Sequence, residues 1–380
     1  MPSWGFSDQP WNSLSGVIPV DASQVGYNQS FGMAQETTYQ ALSREQAETA
    51  PYLGAEMPIS FGDPGKELEI LRAGCGIFDL AWRQQIVASG KDRVRWLHNM
   101  VTNNIRDLKP GRGNYNFVLN AQGRILGDLY IFNRGESLLM ETDKAQVDPL
   151  LTAMKRFIIM DKVELTADQS HVGVAVCGPK SAEVLEAAAL SVAGMDALEV
   201  RDCAFSDDPV VIIRGPEQKP GWYELWVKTE LAGSLSAKLR DSGAHPVGTE
   251  ALEAWRVLQG IPQYGQDIRD RDLPHETEQQ QALNFNKGCY IGQEIVERIR
   301  SRGQVHRKFT GFEFEGPATP GKHEAEGRVL AEVTTVRCVP ASGTQRCLGL
   351  GYVRRESVPT GATIEVNGVK ARMVDLPFQI

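Results

Sequence analysis

The 380-residue chain contains no apolar run approaching the ~18 residues that a membrane-spanning helix requires. Its opening stretch, Met1-Pro2-Ser3-Trp4-Gly5, lacks the basic and apolar regions of a signal peptide. Residues 1–43 carry no arginine or lysine, which argues against a mitochondrial transit peptide. The six cysteines (Cys75, Cys177, Cys203, Cys289, Cys338 and Cys347) form no C-x-x-C pair. That spacing reads as reduced thiols in a cytosol, not as a disulfide framework. The expected location is cytoplasmic, with no membrane partner. Positive charge is also scarce: 40 Lys and Arg against 48 Asp and Glu leave a net charge of −8. An acidic chain argues against a general nucleic-acid binder, so no direct nucleic-acid partner is expected, although a local basic patch is compatible with the balance.

What is present is the composition of an ordinary globular protein, 42% hydrophobic and 23% charged, in a chain long enough for two or three compact domains. Residues 1–45, rich in Gln, Ser, Asn, Gly and Thr, read as a poorly ordered extension with a helical end around Tyr39–Glu48. From there to about residue 300 the pattern alternates strands, hairpins and helices. Gly113–Asn120 and Ile125–Phe132 read as a hairpin around Ala121-Gln122-Gly123, followed by a strand at Ser137–Glu141 and a helix from Gln146 to about Phe157. A second unit, about 167–248, repeats a similar order. The expectation is an α+β protein with two ferredoxin-like subdomains across residues 46–300, without residue-level repeat identity. Residues 301–380 switch to short strands between Gly and Pro turns, the pattern of a small antiparallel β-barrel or sandwich. Cys338 and Cys347 could face one another there, and two thiols alone make a weak metal site, so they are taken as packing residues.

Two strands carry a carboxylate where strands disfavour one. Asp128 interrupts Ile125–Phe132, either on a solvated face or retained for chemistry. Glu224 lies between aromatics in Gly221–Trp226, either facing water or accepting the N–H donors of a flat heteroaromatic ligand. His98, with no second ligand at i+3 or i+4, reads as a surface or helix-packing histidine.

The most distinctive stretch is Lys287-Gly288-Cys289-Tyr290-Ile291-Gly292-Gln293-Glu294. Gly288 allows the backbone to turn, and Gly292 allows close approach of another backbone. Ile291, Ile295 and Ile299 form a helical stripe, which places Cys289 at a helix N-terminus beside a lysine and makes it a candidate reactive thiol. The alternative is a small buried hydrophobe. Arg298, Arg300, Arg302, Arg307 and Lys308 follow, either a solvated basic face or a receiver for an acidic group.

Taken together, Gly76-Ile77-Phe78-Asp79, Asn103–Leu108, Gly123–Leu129, Cys177-Gly178-Pro179, Tyr264-Gly265-Gln266-Asp267 and the ending Val374-Asp375-Leu376-Pro377-Phe378 resemble the glycine cleavage T-protein (aminomethyltransferase) superfamily. The Lys287–Glu294 octapeptide resembles the signature of its YgfZ-type folate-binding branch, which is linked to iron–sulfur cluster assembly or repair and, through iron–sulfur enzymes, to tRNA modification. The resemblance covers residue 50 to the C-terminus and implies a three-domain cloverleaf whose central channel holds tetrahydrofolate or a one-carbon derivative. By position, Asp128 matches an aspartate near the reactive folate nitrogen, Tyr115 an aromatic beside the folate, and Glu224 the carboxylate that grips the pterin.

Three positions depart from the T-protein pattern. Its adjacent aspartate pair is Gly127-Asp128, its Ser-His-Met is Ala81-Trp82-Arg83, and an arginine four residues before Arg256 is Leu252. The main expectation is therefore a tetrahydrofolate-binding accessory protein for iron–sulfur assembly. Cys289 would be its functional thiol, iron–sulfur involvement would be transient, and its partners would be assembly or client proteins. The alternative is a tetrahydrofolate-dependent aminomethyl- or methyltransferase that uses Asp128.

Overall fold

A computed structural model describes residues 47–379 apart from 304, 342–343, 357 and 359–360. The expected N-terminal extension and most of its helical end lie outside the described residues. The side chain of Arg302 does too.

A short hairpin, β1 (Thr49–Tyr52) and β2 (Ala55–Pro58), leads into helix α1 (Pro64–Ala73). Asp63 starts that helix by accepting the Gly65 and Lys66 amides, with Pro64 at the first helical position. Strands β3 (Gly76–Asp79) and β4 (Arg83–Ser89) follow and part company, each joining a different sheet. Then come helix α2 (Arg93–Met100), strands β5 (Gly113–Leu119), β6 (Ile125–Asn133) and β7 (Leu138–Asp143), helix α3 (Lys144–Lys155) and strand β8 (Glu164–Ala167). The first sheet is antiparallel, in the order β5-β6-β7-β4-β8.

The next segment supplies β9 (His171–Cys177), α4 (Ser181–Ala187), β10 (Val200–Phe205), β11 (Asp208–Arg214), β12 (Tyr223–Lys228), α5 (Ala232–Asp241), β13 (His245–Pro246) and α6 (Thr249–Leu258). Their sheet runs β10-β11-β12-β9-β3-β13, so β3, from before the first unit, is built into the second. Strand β10 was not legible in the sequence, because Val200–Phe205 places Arg201, Asp202 and Cys203 on an edge strand that needs no apolar alternation.

Helices α2 and α3 cover one face of the first sheet, and α4 and α5 cover one face of the second. Ile86, Leu97, Val118, Leu129, Met140 and Leu150 form the core between the first sheet and α2 and α3. Ile77, Val176, Leu185, Ile212, Leu225 and Leu235 do the same for the second sheet with α4 and α5. The period-2 alternation of strands sends the intervening residues the other way. Phe78, Trp82, Trp222 and Trp226 therefore meet Trp255 of α6 and Leu348 and Tyr352 of the third unit in one central cluster.

Helix α7 (Gln293–Arg302) leads to β14 (Arg307–Phe314), β15 (Gly321–Ala325), β16 (Arg328–Ala341), β17 (Thr344–Arg354), β18 (Thr363–Val366) and β19 (Val369–Val374). They form a nearly closed antiparallel barrel sheet in the order β15-β16-β17-β14-β19-β18. Asp267, fully buried, ties this barrel to the rest: its carboxylate accepts from Arg256 at 2.7 Å and from the hydroxyl of Thr335 at 2.7 Å. Cys338 and Cys347 correct the reading of all six cysteines as thiols. They are register partners on β16 and β17, with Cα atoms 3.9 Å apart, and form a disulfide. No helix among the described residues is long and apolar enough to cross a membrane.

Candidate functional site: a cavity where the three units meet

The opposite faces of the two sheets, together with α6 and the segment after β19, enclose a cavity of about 270 Å³. Trp82 and Arg83, Tyr115, Asp128 and Tyr130, Lys219 and Trp222, Leu252 and Trp255, and Leu376 with Pro377 line it. Its walls are aromatic: Trp222 stacks on Trp255 with ring centres 5.8 Å apart, Phe78 on Trp82 at 5.9 Å, and Tyr115 leans on Tyr130 at 5.0 Å.

Asp128 is on β6 between Leu129 and Gly127, so alternation turns it away from the core of the first sheet and into this cavity. The carboxylate is held from both sides. Tyr115 donates its hydroxyl to Oδ2 at 2.5 Å, and Gln146 donates Nε2 to Oδ1 at 2.8 Å while its own Oε1 accepts the Asp128 amide. Burial, and then the nearby Asp143 carboxylate, raise the pKa of Asp128, against these hydrogen bonds and Arg83. A carboxylate so placed holds a proton more readily than an exposed aspartate. Gly127 explains the first departure in steric terms: a Cβ there would lie 2.7 Å from Leu150 Cδ2 and 2.9 Å from Gln146 Oε1. A side chain there would have to displace Leu150 and Gln146, the residue whose amide clamps Asp128.

Arg83, where the T-protein pattern differs, is a site residue the sequence reading passed over. It forks onto two strand-β7 carboxylates, donating at 2.6 Å to Glu141 and at 2.6 Å to Asp143. Only the β4–β7 register, which sets Arg83 against Asp143, brings these groups together, and no local signal in the sequence carries it. Gln146 and Lys219 were missed for the same reason. The Lys219 ammonium sits 4.4 Å from the centre of the Trp222 ring; burial, then Arg83, lower its pKa.

Glu224 is buried on β12 behind Trp222 and is not among the lining residues. Its oxygens accept the indole N–H of Trp222 at 2.9 Å and of Trp226 at 3.2 Å. Each oxygen keeps lone pairs for a further donor. Glu141 lies beside it, and burial together with the Glu224 charge holds Glu141 well above the ordinary glutamate range, against Arg83.

The Lys287–Glu294 stretch lies apart from the cavity lining. Helix α7 begins only at Gln293, with Gly292 as its N-cap at φ +81°. Cys289 is therefore not at a helix N-terminus: it is exposed, in an irregular segment four residues earlier. The expected run of helix from Ile291 fails because Gly292 adopts the left-handed conformation. The neighbours of Cys289 are firmly fixed. The Lys287 ammonium is buried and donates to the carbonyls of His98, Val101 (2.5 Å) and Asn103 (2.8 Å). Burial and Arg106 push its pKa down to about 7, and the three carbonyls favour the charged form. Tyr290 is buried in a cluster with Tyr115 and Phe117. Gln293 Oε1 accepts the Tyr290 amide, and Glu294 is exposed in the first turn of α7. A Cβ on Gly292 would lie 2.6 Å from Asn120 O, so this glycine seats the segment on the β5–β6 turn. His98 packs inside, its Nδ1 accepting the Ile105 and Arg106 amides, as expected of a helix-packing histidine.

Three units meet around an aromatic cavity that fixes an aspartate, in a mixed α/β fold completed by a nearly closed antiparallel barrel sheet. The chain belongs to the GCVT N-terminal domain family, which matches residues 38–287. It is 26% identical over 362 residues to the aminomethyltransferase of Caldanaerobacter subterraneus, covering 90% of this chain and 94% of that protein. It is 27% identical over 361 residues to the aminomethyltransferase of Geobacillus kaustophilus, covering 90% and 97%. The solved glycine cleavage system aminomethyltransferase T from Bartonella henselae has the same fold, with a TM-score of 0.80, 22% identity, and 90% and 96% of the two chains covered.

Proposed function

We propose that this chain binds tetrahydrofolate or a one-carbon derivative in the central cavity and transfers an aminomethyl or methyl group there. The observation that carries the proposal is the Asp128 carboxylate, clamped by Tyr115 and Gln146 on the wall of an aromatic cavity. The donor set fits the ligand: flat aromatic walls suit a pterin and aminobenzoate, and carboxylates suit pterin N–H groups. When bound, tetrahydrofolate supplies the nitrogen that takes up the one-carbon group. Asp128 would orient that nitrogen and accept its proton, Tyr115 and Gln146 would keep the carboxylate in place, and Trp82, Trp222 and Trp255 would exclude water. Glu224 retains lone pairs for a pterin donor that reaches it past Trp222. Turnover of an aminomethyl or methyl donor with tetrahydrofolate, stopped by Asp128→Asn, is the expected result. No turnover across the plausible donors would sink the transferase reading. Titration with tetrahydrofolate, wild type against Glu224→Ala, tests the binding site itself.

A second reading rests on Cys289. Its thiol is exposed on a pinned segment away from the cavity lining, and Gly127 stands where a second carboxylate would crowd Leu150 and Gln146. In that reading the chain is a folate-binding accessory of YgfZ type that serves iron–sulfur assembly or repair and, indirectly, tRNA modification. The thiolate would engage iron or sulfur transiently in a partner. Cys289→Ala should then abolish rescue of an iron–sulfur-enzyme defect with folate affinity intact; full rescue would remove this reading.

A further inference from the structure

A second concavity, of about 570 Å³, lies where α7 meets the barrel, and the reading above does not use it. Its floor is apolar, with Ile299, Val353, Val358 and Met373. Its rim is cationic, with Arg300 from α7, Lys308 from β14 and Arg355 just after β17, and no carboxylate is among its lining residues. Lys308 makes no ion pair among the described residues. Arg355 pairs with Glu278, while Arg300 holds Glu297 only at 3.6 Å and lies 4.3 Å over the Phe285 ring.

The telling residue is His275. Both of its ring nitrogens are buried and neither has a hydrogen-bond partner among the described residues, although a buried imidazole ordinarily satisfies at least one. Phe285 lies beside the ring at 6.0 Å and offers the nitrogens no hydrogen-bonding group. Burial, the first cause, and Arg300 lower the His275 pKa against Glu297, so the imidazole is neutral and can offer one donor and one acceptor.

We infer that this groove is a binding site for a small amphipathic anion, with an apolar or aromatic body on the Ile299–Val353–Met373 floor and a phosphate or carboxylate between Lys308, Arg300 and Arg355. An oxyanion would give Lys308 its missing counter-charge, and the body of the ligand would cover the floor. The same ligand would supply a partner for His275. The inference does not depend on the folate reading, because none of these side chains lines the central cavity.

The test uses the full-length protein with 1-naphthyl phosphate, 1-naphthoate and inorganic phosphate as probes, followed by calorimetry and by NMR of ring-labelled histidines. Saturable binding of a naphthyl probe that shifts the His275 ring resonances is expected, and whichever of the two binds tighter identifies phosphate or carboxylate as the head group. Lys308→Ala and His275→Phe should each weaken it, with about a tenfold loss for Lys308→Ala. Tetrahydrofolate affinity should not change in Lys308→Ala, which also reports that the variant is folded. Absence of saturable binding, or binding that both variants leave intact, would overturn the inference.

Discussion

The central cavity and the Lys287–Glu294 segment solve opposite problems. In the cavity the reactive candidate, Asp128, is enclosed, and its environment is tuned by neighbours drawn from three strands and a helix. In the segment the reactive candidate, Cys289, is left in water, and only its neighbours are fixed, Lys287 by three carbonyls and Tyr290 by burial. Enclosure changes the chemistry of a group, whereas anchoring of flanking residues changes only where the group is presented. The first arrangement suits a reaction completed within the protein, and the second suits a reaction completed with a partner.

Four measurements would break or sharpen that contrast. The largest effect belongs to Asp128→Asn, which removes the base; its Oδ1 can still accept from Gln146 while its Nδ2 donates to a Tyr115 hydroxyl that turns to accept, so transfer should fall by about 10²–10⁴-fold with little change in the denaturation midpoint. Comparable loss in Cys289→Ala would erase the distinction. Lys287→Met comes next. It leaves three carbonyls without their donor and should cost roughly 2–4 kcal/mol in urea unfolding, while tetrahydrofolate affinity holds.

Asp79, buried at the end of β3, has its pKa raised to about 7 by burial, against the Ala81 and Leu80 amides and Lys144. Its folded value lies above the unfolded value of about 3.9, so the folded state binds more protons between them. Stability from this group is full below about pH 4 and is lost as pH rises through about 7. Asp79→Asn should therefore unfold at a higher temperature than wild type at alkaline pH, with the advantage vanishing in acid; equal midpoints throughout would show that Asp79 is not held protonated. The smallest effect is that of Cys289→Ala on stability, expected within about 0.5 kcal/mol because an exposed thiol contributes little packing.

Much of the architecture could be read from local pattern. The hairpin at Gly113–Phe132, the helix that follows it, and the switch to turn-rich strands after residue 300 all come from periodicity and from glycine, which act within a few residues. Asp128 and Glu224 were visible as carboxylates in apolar strands. What alternation alone left open was which face is covered, and that depends on α2 to α5 packing the opposite sides. Arg83 and Gln146 were out of reach because their partners are 58 and 18 residues away and meet only through strand register and a helix crossing. The Cys338–Cys347 disulfide was misjudged because composition speaks to compartment, while pairing is decided by the β16–β17 register. Cys289 was misplaced because an isoleucine stripe persisted across Gly292, where the backbone is left-handed.

The seat of Gly292 on the β5–β6 turn has a mechanical meaning. Neither side has slack: a Cβ on Gly123 would lie 2.8 Å from Ile295 Cβ, and one on Gly292 would meet Asn120 O. The two strands that leave this turn carry Tyr115 and Asp128, and Tyr290 packs in the same cluster as Tyr115. The exposed thiol thus sits on a short segment rooted in the turn between the two strands that form part of the cavity wall.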